Sequence, residues 1–327
     1  MNLGLACRLC RLSLSVVIAG LILAPVSWTQ TQPSQSIDTS QVIKIVFLGT
    51  SPAIPNPDRQ SMSLVIAVNG KLYVVDAGTS LVRQSAAEFY RGLPDLRVDA
   101  LQTAFITHLH SDHTLGLPDL ILIPWLMGRK VPLELYGPPG IKNLAEGILV
   151  AYKEDIEKRA HNIGMEGVKI NVHEIQPGPV YEDENVKVQA FKVHHGEGWL
   201  TLGYRFDIGR KSIVISGDTS PVESVVEACN GCDVLIHEAT TGTGEMQHRG
   251  VPDPPSPQES DDSKCVSNGH TCSREVGQIA AKAKAKMLIV THWLPLGNAT
   301  QDDLVQGIRE TYSGPVIVAR DLDVIAP

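Results

Sequence analysis

Residues 107–113 read Thr-His-Leu-His-Ser-Asp-His, directly after the apolar run Leu101–Ile106. His108 and His110 lie two apart at the end of a predicted strand, so both imidazoles face one side. Asp112 and His113 follow in the turn before a predicted helix over Leu115–Met127. Four ligand-capable side chains in six residues can serve two cations. Neutral imidazole and carboxylate suit Zn²⁺, Mn²⁺ or Fe²⁺, and nothing here is soft enough to demand copper.

Outward from this motif, short β-branched runs are punctuated by Gly, Pro and Asp. Val42–Leu48, Ser63–Val68 and Lys71–Val75 read as strands, with Asn69-Gly70 as a tight hairpin turn. Leu101–Thr107, Leu133–Tyr136, Val168–Ile175, Val186–Val193, Thr201–Asp207, Ser212–Ser216, Val234–Ile236 and Met287–Val290 read as further strands. Ile141–Ala160 reads as one long amphipathic helix, and Val222–Ala228, Ser273–Lys284 and Gln301–Glu310 as shorter ones. Hairpin groups with helices between and after them predict an α+β, αββα sandwich of two mixed sheets flanked by helices. The predicted domain covers residues 41–327. Residues 241–269 break the pattern with an acidic stretch containing four prolines, a loop long enough to suggest a function.

The N-terminus carries different signals. Arg8 and Arg11 precede the apolar run Leu12–Ala24, which predicts a secretory signal peptide over residues 1–30 and an exported, periplasmic protein. An uncleaved anchor is the alternative. Residues 31–40 are polar and predict a disordered leader. Removing two arginines and no acid takes the net charge from −8 to −10. Such a chain has no general attraction for nucleic acid. Of the six cysteines, Cys7 and Cys10 leave with the signal. Cys229–Cys232 and Cys265–Cys272 then close short local loops as disulfides, against the rival of a Cys₄ zinc site.

The Thr107–His113 motif resembles the metallo-β-lactamase superfamily signature, and the resemblance runs over nearly all of residues 42–327. It is nearest the branch of ribonuclease Z and the related arylsulfatases. Supporting segments are Phe47-Leu48-Gly49-Thr50, Val75-Asp76-Ala77-Gly78, Tyr136-Gly137-Pro138-Pro139-Gly140, Leu202-Gly203-Tyr204-Arg205, Ile215-Ser216-Gly217-Asp218-Thr219, His237-Glu238-Ala239-Thr240 and Val290-Thr291-His292. The resemblance implies that His108, His110 and His195 hold one metal and Asp112, His113 and His292 the other, with Asp218 joining both. His194 competes with His195 for its place. Two divalent cations about 3.5–4 Å apart activate a water and stabilise both oxygens of a displacement. Asp112 would handle the water's proton, and Glu238 with His270 could relay one to the leaving group. In the ribonucleases the second of these segments reads His-Ser-Thr; here it is His270-Thr271-Cys272.

The expected substrate follows from what is missing. The tRNA-processing members carry a protruding arm after the Gly-Tyr-Arg strand, whereas here only Phe206–Ile215 separates Arg205 from Ser216. Pro55–Arg59 and Gly116–Ile121 resemble segments of the exported arylsulfatase-like members. A small-molecule ester, either sulfate or phosphodiester, is therefore the expected partner, with nucleic acid disfavoured and a homodimer compatible. Ribonuclease Z activity is the runner-up, and a non-catalytic metal-binding protein the alternative class. Trp125, Trp199 and Trp293 could wall the site, and the acidic loop Asp253–Asp262 could cover it.

Overall fold

The structure is a computed structural model that describes residues 42–196, 198–243, 265 and 269–327. The expected signal peptide over residues 1–30, the expected leader over 31–40 and the acidic stretch 253–262 lie outside the described residues. Alternation within strands sets the layers. In β1 (Ile43–Gly49), Ile45 and Phe47 face one core while Val46 and Leu48 face another. β2 (Ser63–Val68) and β3 (Lys71–Val75) follow as a hairpin, then α1 (Leu81–Tyr90) and β4 (Thr103–Phe105). After the motif come α2 (Ser111–Thr114), α3 (Leu117–Leu126), β5 (Leu133–Gly137), α4 (Ile141–Ala151), α5 (Lys153–Ile163) and β6 (Ile170–Glu174).

The second half opens with β7 (Gly178–Glu182), β8 (Lys187–Val193), β9 (Thr201–Ile208) and β10 (Lys211–Ile215). It continues through α6 (Glu223–Cys229), β11 (Val234–Thr241), α7 (Ser273–Lys282), β12 (Leu288–Pro295) and α8 (Gln301–Arg309), ending in β13 (Val316–Val318) and β14 (Val324–Ile325). One sheet runs β14-β1-β2-β3-β4-β5-β6 and the other β13-β12-β11-β10-β9-β8-β7. Both mix parallel and antiparallel pairs. Aromatic residues fill the space between the sheets: Phe105 stacks on Tyr136 at 5.0 Å and meets Tyr204 and Phe206 edge-on. A second core lies under Leu81, Leu117, Trp125 and Ile141, and a third joins Val214, Leu235 and Val290 to Val225, Val276 and Leu304. The αββα sandwich is the architecture the sequence predicts.

Several boundaries differ, each for a local reason. The single helix expected over Ile141–Ala160 is two, parted at Tyr152 (φ −101°, ψ 13°), where the buried stripe of Ile141, Ala145 and Ile148 thins to Ile156 alone. β4 ends at Phe105, so His108 and His110 stand on a loop and not on a strand face. Helix α1 was not foreseen, because two of its buried positions are Ser85 and Glu88. Ser85 donates to the Leu96 carbonyl, and Arg91 donates to Glu88. Both expected disulfides are formed, Cys229–Cys232 and Cys265–Cys272.

Candidate metal centre

The site gathers at one end of the two sheets. From the first sheet, the chain leaves β4, and α2 then turns Asp112 and His113 inward, with the Thr114 hydroxyl bonding back to the His110 carbonyl. From the second, His195 follows β8 and Asp218 follows β10. Gly217 makes that last turn possible: its φ is +61°, and a Cβ there would lie 2.7 Å from the Leu202 carbonyl. His292 arrives through a β-bulge. Pairing of β11 with β12 shifts between His237 opposite Val290 and Ala239 opposite Trp293, leaving Glu238 across from both Thr291 and His292. His292 takes φ +46° in this bulge.

All seven expected ligands meet. The ligand atoms of His108, His110 and His195 lie within 4.8 Å of one another, as do those of Asp112, His113, Asp218 and His292. Asp218 Oδ2 is 3.5 Å from His113 Nε2, 3.3 Å from His292 Nε2, 3.8 Å from His195 Nε2 and 4.0 Å from His108 Nε2, so it stands between the two groups. Asp112 Oδ2 is 3.2 Å from His292 Nε2 and 3.4 Å from His113 Nε2. His195 is buried within the cluster, whereas His194 is exposed.

Hydrogen bonds behind the ligands fix their tautomers. Asp76, held at φ +59° after β3, accepts from the Thr107 amide at 2.8 Å and from the Thr107 hydroxyl. It also accepts from His113 Nδ1 at 2.8 Å. With its proton given to Asp76, the Thr107 oxygen accepts from His108 Nδ1 at 3.0 Å. His195 Nδ1 donates to the Gly269 carbonyl at 2.7 Å. Each of these three rings, when neutral, therefore turns a lone pair on Nε2 into the site.

This arrangement fits divalent ions better than it fits itself. His110 Nδ1 lies 2.9 Å from His108 Nε2 and 3.1 Å from His195 Nε2, yet it can donate only one proton. At most one of these two contacts can therefore be a full hydrogen bond, and a cation among the three nitrogens would satisfy them all. Among the described residues, buried His113 Nε2 has no hydrogen-bond partner. Burial and the neighbouring His113 hold His108 well below the usual histidine range, and burial with His195 lowers His110, which keeps both as neutral donors. Burial would lower His113, but Asp218 and Asp76 hold it well above the usual histidine range. Burial would raise the Asp112 and Asp218 carboxyls, but the positive charge on His113 and His292 holds both far below the usual carboxylate range. Divalent ions would supply that charge in place of protons. The His/Asp cluster is compatible with a binuclear metal site.

Beside it, Glu238 Oε1 accepts from the Thr219 and Thr271 amides. Glu238 Oε2 is 3.3 Å from His270 Nδ1. Trp199 meets the His110 ring edge to face at 4.7 Å. The other two tryptophans are used elsewhere: Trp125 Nε1 donates to the Gly164 carbonyl from the core, and Trp293 Nε1 donates to the Thr241 hydroxyl. Sequence reasoning passed over two contributors. Asp76 drew notice only within a family segment, although an acid directly after an apolar strand was the available signal. The Gly269 carbonyl has no sequence signal at all.

The β-lactamase superfamily domain matches residues 72–293. The chain belongs to the metallo-β-lactamase superfamily, and it is a hydrolase of that fold. It is 29% identical over 287 residues to a ribonuclease Z of Mycobacterium bovis, covering 86% of this chain and 97% of that one. It is likewise 29% identical over 297 residues to a ribonuclease Z of Methanothermobacter thermautotrophicus, covering 77% and 86%. Among solved structures, human tRNase Z, short form, superposes with a TM-score of 0.63 at 25% identity over 86% of this chain and 98% of the other. The metallo-β-lactamase fold protein YhfI of Bacillus subtilis shares the fold at a TM-score of 0.63 and 20% identity, over 88% and 100%.

These relatives overturn the expected substrate. A small-ester hydrolase with no nucleic-acid partner is not what a superfamily chain similar to ribonucleases over nearly their whole length supports. The β9–β10 hairpin is as short as the sequence implied, with Lys211 opposite Ile208. A missing arm leaves one means fewer of holding RNA and does not alter the ligand cluster itself. The net charge misled for a similar reason, since it averages over the surface while an anion responds to the field at the site.

Proposed function

We propose that this protein is a metal-dependent endoribonuclease of the ribonuclease Z type, cleaving a phosphodiester at the 3′ side of tRNA precursors. The observation that carries the reading is the conjunction of seven convergent ligands with the Glu238–His270 pair, in a chain similar to ribonucleases Z. The imidazole and carboxylate donors suit two Zn²⁺ ions, with Mn²⁺ or Fe²⁺ tolerated. In this reading His108, His110 and His195 would hold one ion and Asp112, His113 and His292 the other, with Asp218 available to both. The ions would activate a water for attack, and Asp112 would be placed to take up its proton. Burial opposes a charge on His270, but the Glu238 carboxylate overcomes it and holds the imidazole up at about 9. In its protonated form His270 can pass a proton to the leaving oxygen, with Glu238 steadying the cation. Export belongs to the proposal as well: the basic-then-apolar N-terminus and the two disulfides support it. It would place the RNA substrate outside the cytoplasm.

The deciding experiment offers metal-loaded protein a tRNA precursor with a 3′ trailer, bis-p-nitrophenyl phosphate and p-nitrophenyl sulfate. Release of the trailer, lost in Asp218→Asn, is the expected result. Turnover of the sulfate with the precursor left intact would overturn the reading, and cell fractionation tests the location separately.

A further inference from the structure

Trp199 is 44% exposed, although a tryptophan placed for packing would be covered. Its ring lies 4.7 Å from His110, at an interplanar angle of 78°, on the solvent side of the histidine trio. Two glycines with positive φ precede it, Gly196 at +70° and Gly198 at +96°. A Cβ at either would meet nothing within 4 Å, so neighbouring atoms do not confine the backbone there. Trp199 thus presents its indole beside the cluster, four residues after the ligand candidate His195. An aromatic face that is largely solvated and held next to a phosphodiester-cleaving centre suits one chemistry above others, the stacking of an unpaired nucleobase. Such stacking tolerates any base, because every base has a π-face.

We infer that Trp199 is the platform on which the nucleobase next to the scissile phosphate stacks, fixing which phosphate reaches the cluster. The inference rests on the ribonuclease reading above and adds a specificity-determining residue to it. A merely structural Trp199, one that props His110, would affect every substrate alike. A stacking platform affects only substrates that carry the base.

The test compares wild type, Trp199→Ala and Trp199→Phe on a trailer-bearing tRNA precursor and on the same RNA made abasic at the nucleotide beside the cleavage site. Trp199→Ala should raise KM for intact RNA by about 5- to 150-fold with little change in kcat, the range expected for one stacked base. Trp199→Phe should recover most of this, and the abasic RNA should be equally poor for wild type and Trp199→Ala. With 2-aminopurine at that nucleotide, rapid mixing should show emission quenched by wild type and by Trp199→Phe but not by Trp199→Ala. An unchanged KM in Trp199→Ala, or the same loss on abasic RNA, overturns the platform while the ribonuclease reading stands. Wild type that cleaves no RNA overturns both.

Discussion

Asp76 stands behind His113, its Oδ2 2.8 Å from the ring's Nδ1, and the same carboxylate anchors Thr107 at the head of the motif. One side chain thus orients a ligand from α2 and, through Thr107, the tautomer of His108. Partners of this kind typically change metal affinity or activity by about 10–100-fold when removed. Asp76→Ala should therefore weaken metal binding by about that factor in a chelator competition while leaving the far-UV spectrum folded. Wild-type affinity would refute the positioning role.

Removing the metal should cost stability as well as turnover. Without cations, the partners of Asp112 and Asp218 in this buried pocket are, among the described residues, imidazoles. Saturation at about a thousandfold above Kd contributes about 4 kcal/mol. In a domain of this size that is a rise of about 8–16 °C in Tm. Calorimetry with and without EDTA reads the difference, and an identical Tm would mean that no ion resides there.

The two disulfides should differ in consequence. Cys265–Cys272 flanks Gly269, whose carbonyl fixes His195, and His270, which pairs with Glu238. Cys229–Cys232 sits among Val225 and Leu235, away from the ligands. Loop-closure entropy for a separation of 7 gives about 2.5 kcal/mol. Cys265→Ser with Cys272→Ser should lose both stability and about tenfold in metal affinity. Cys229→Ser with Cys232→Ser should lose stability alone. Equal metal affinity in both pairs would count against the coupling.

At the far end of the inter-sheet core, Asp183 accepts from Tyr73 and Tyr181 at 2.7 Å each and pairs with Lys71 at 2.7 Å. Burial pushes its carboxyl up, but these donors outweigh burial and hold it below its ordinary 3.8. A folded-state pKa below the unfolded one stabilises above pH 3.8, and that contribution fades as pH falls toward the folded value. Asp183→Asn should thus narrow the gap between urea midpoints at pH 6 and pH 3. An unchanged gap would assign the acid sensitivity elsewhere.

How much of this was legible depends on where each signal lies along the chain. Thr107–His113 carries four ligands contiguously, so chemistry can be read from it directly. His195 and Asp218 follow two separate strands and His292 sits in a bulge within a third, so they could be placed only by resemblance to a family. The order of the layers followed from alternation, because Ile45 and Val46 must face opposite sides of a sheet. The break at Tyr152 and the strands β13 and β14 depend on tertiary burial that local composition does not encode. The substrate was the least legible, since an absent arm and an acidic average concern parts of the surface remote from the bond that is cut.

The extra residue in β12 means that part of this site is stored as a length and not as a side chain. Deleting Thr291 would bring β11 and β12 back into step and give a more regular ladder. It would also carry His292 to the opposite face, away from Asp112 and Asp218. Here an improvement in the sheet and the loss of a ligand are the same event. Substitution scans, which keep the chain length constant, would never reveal it.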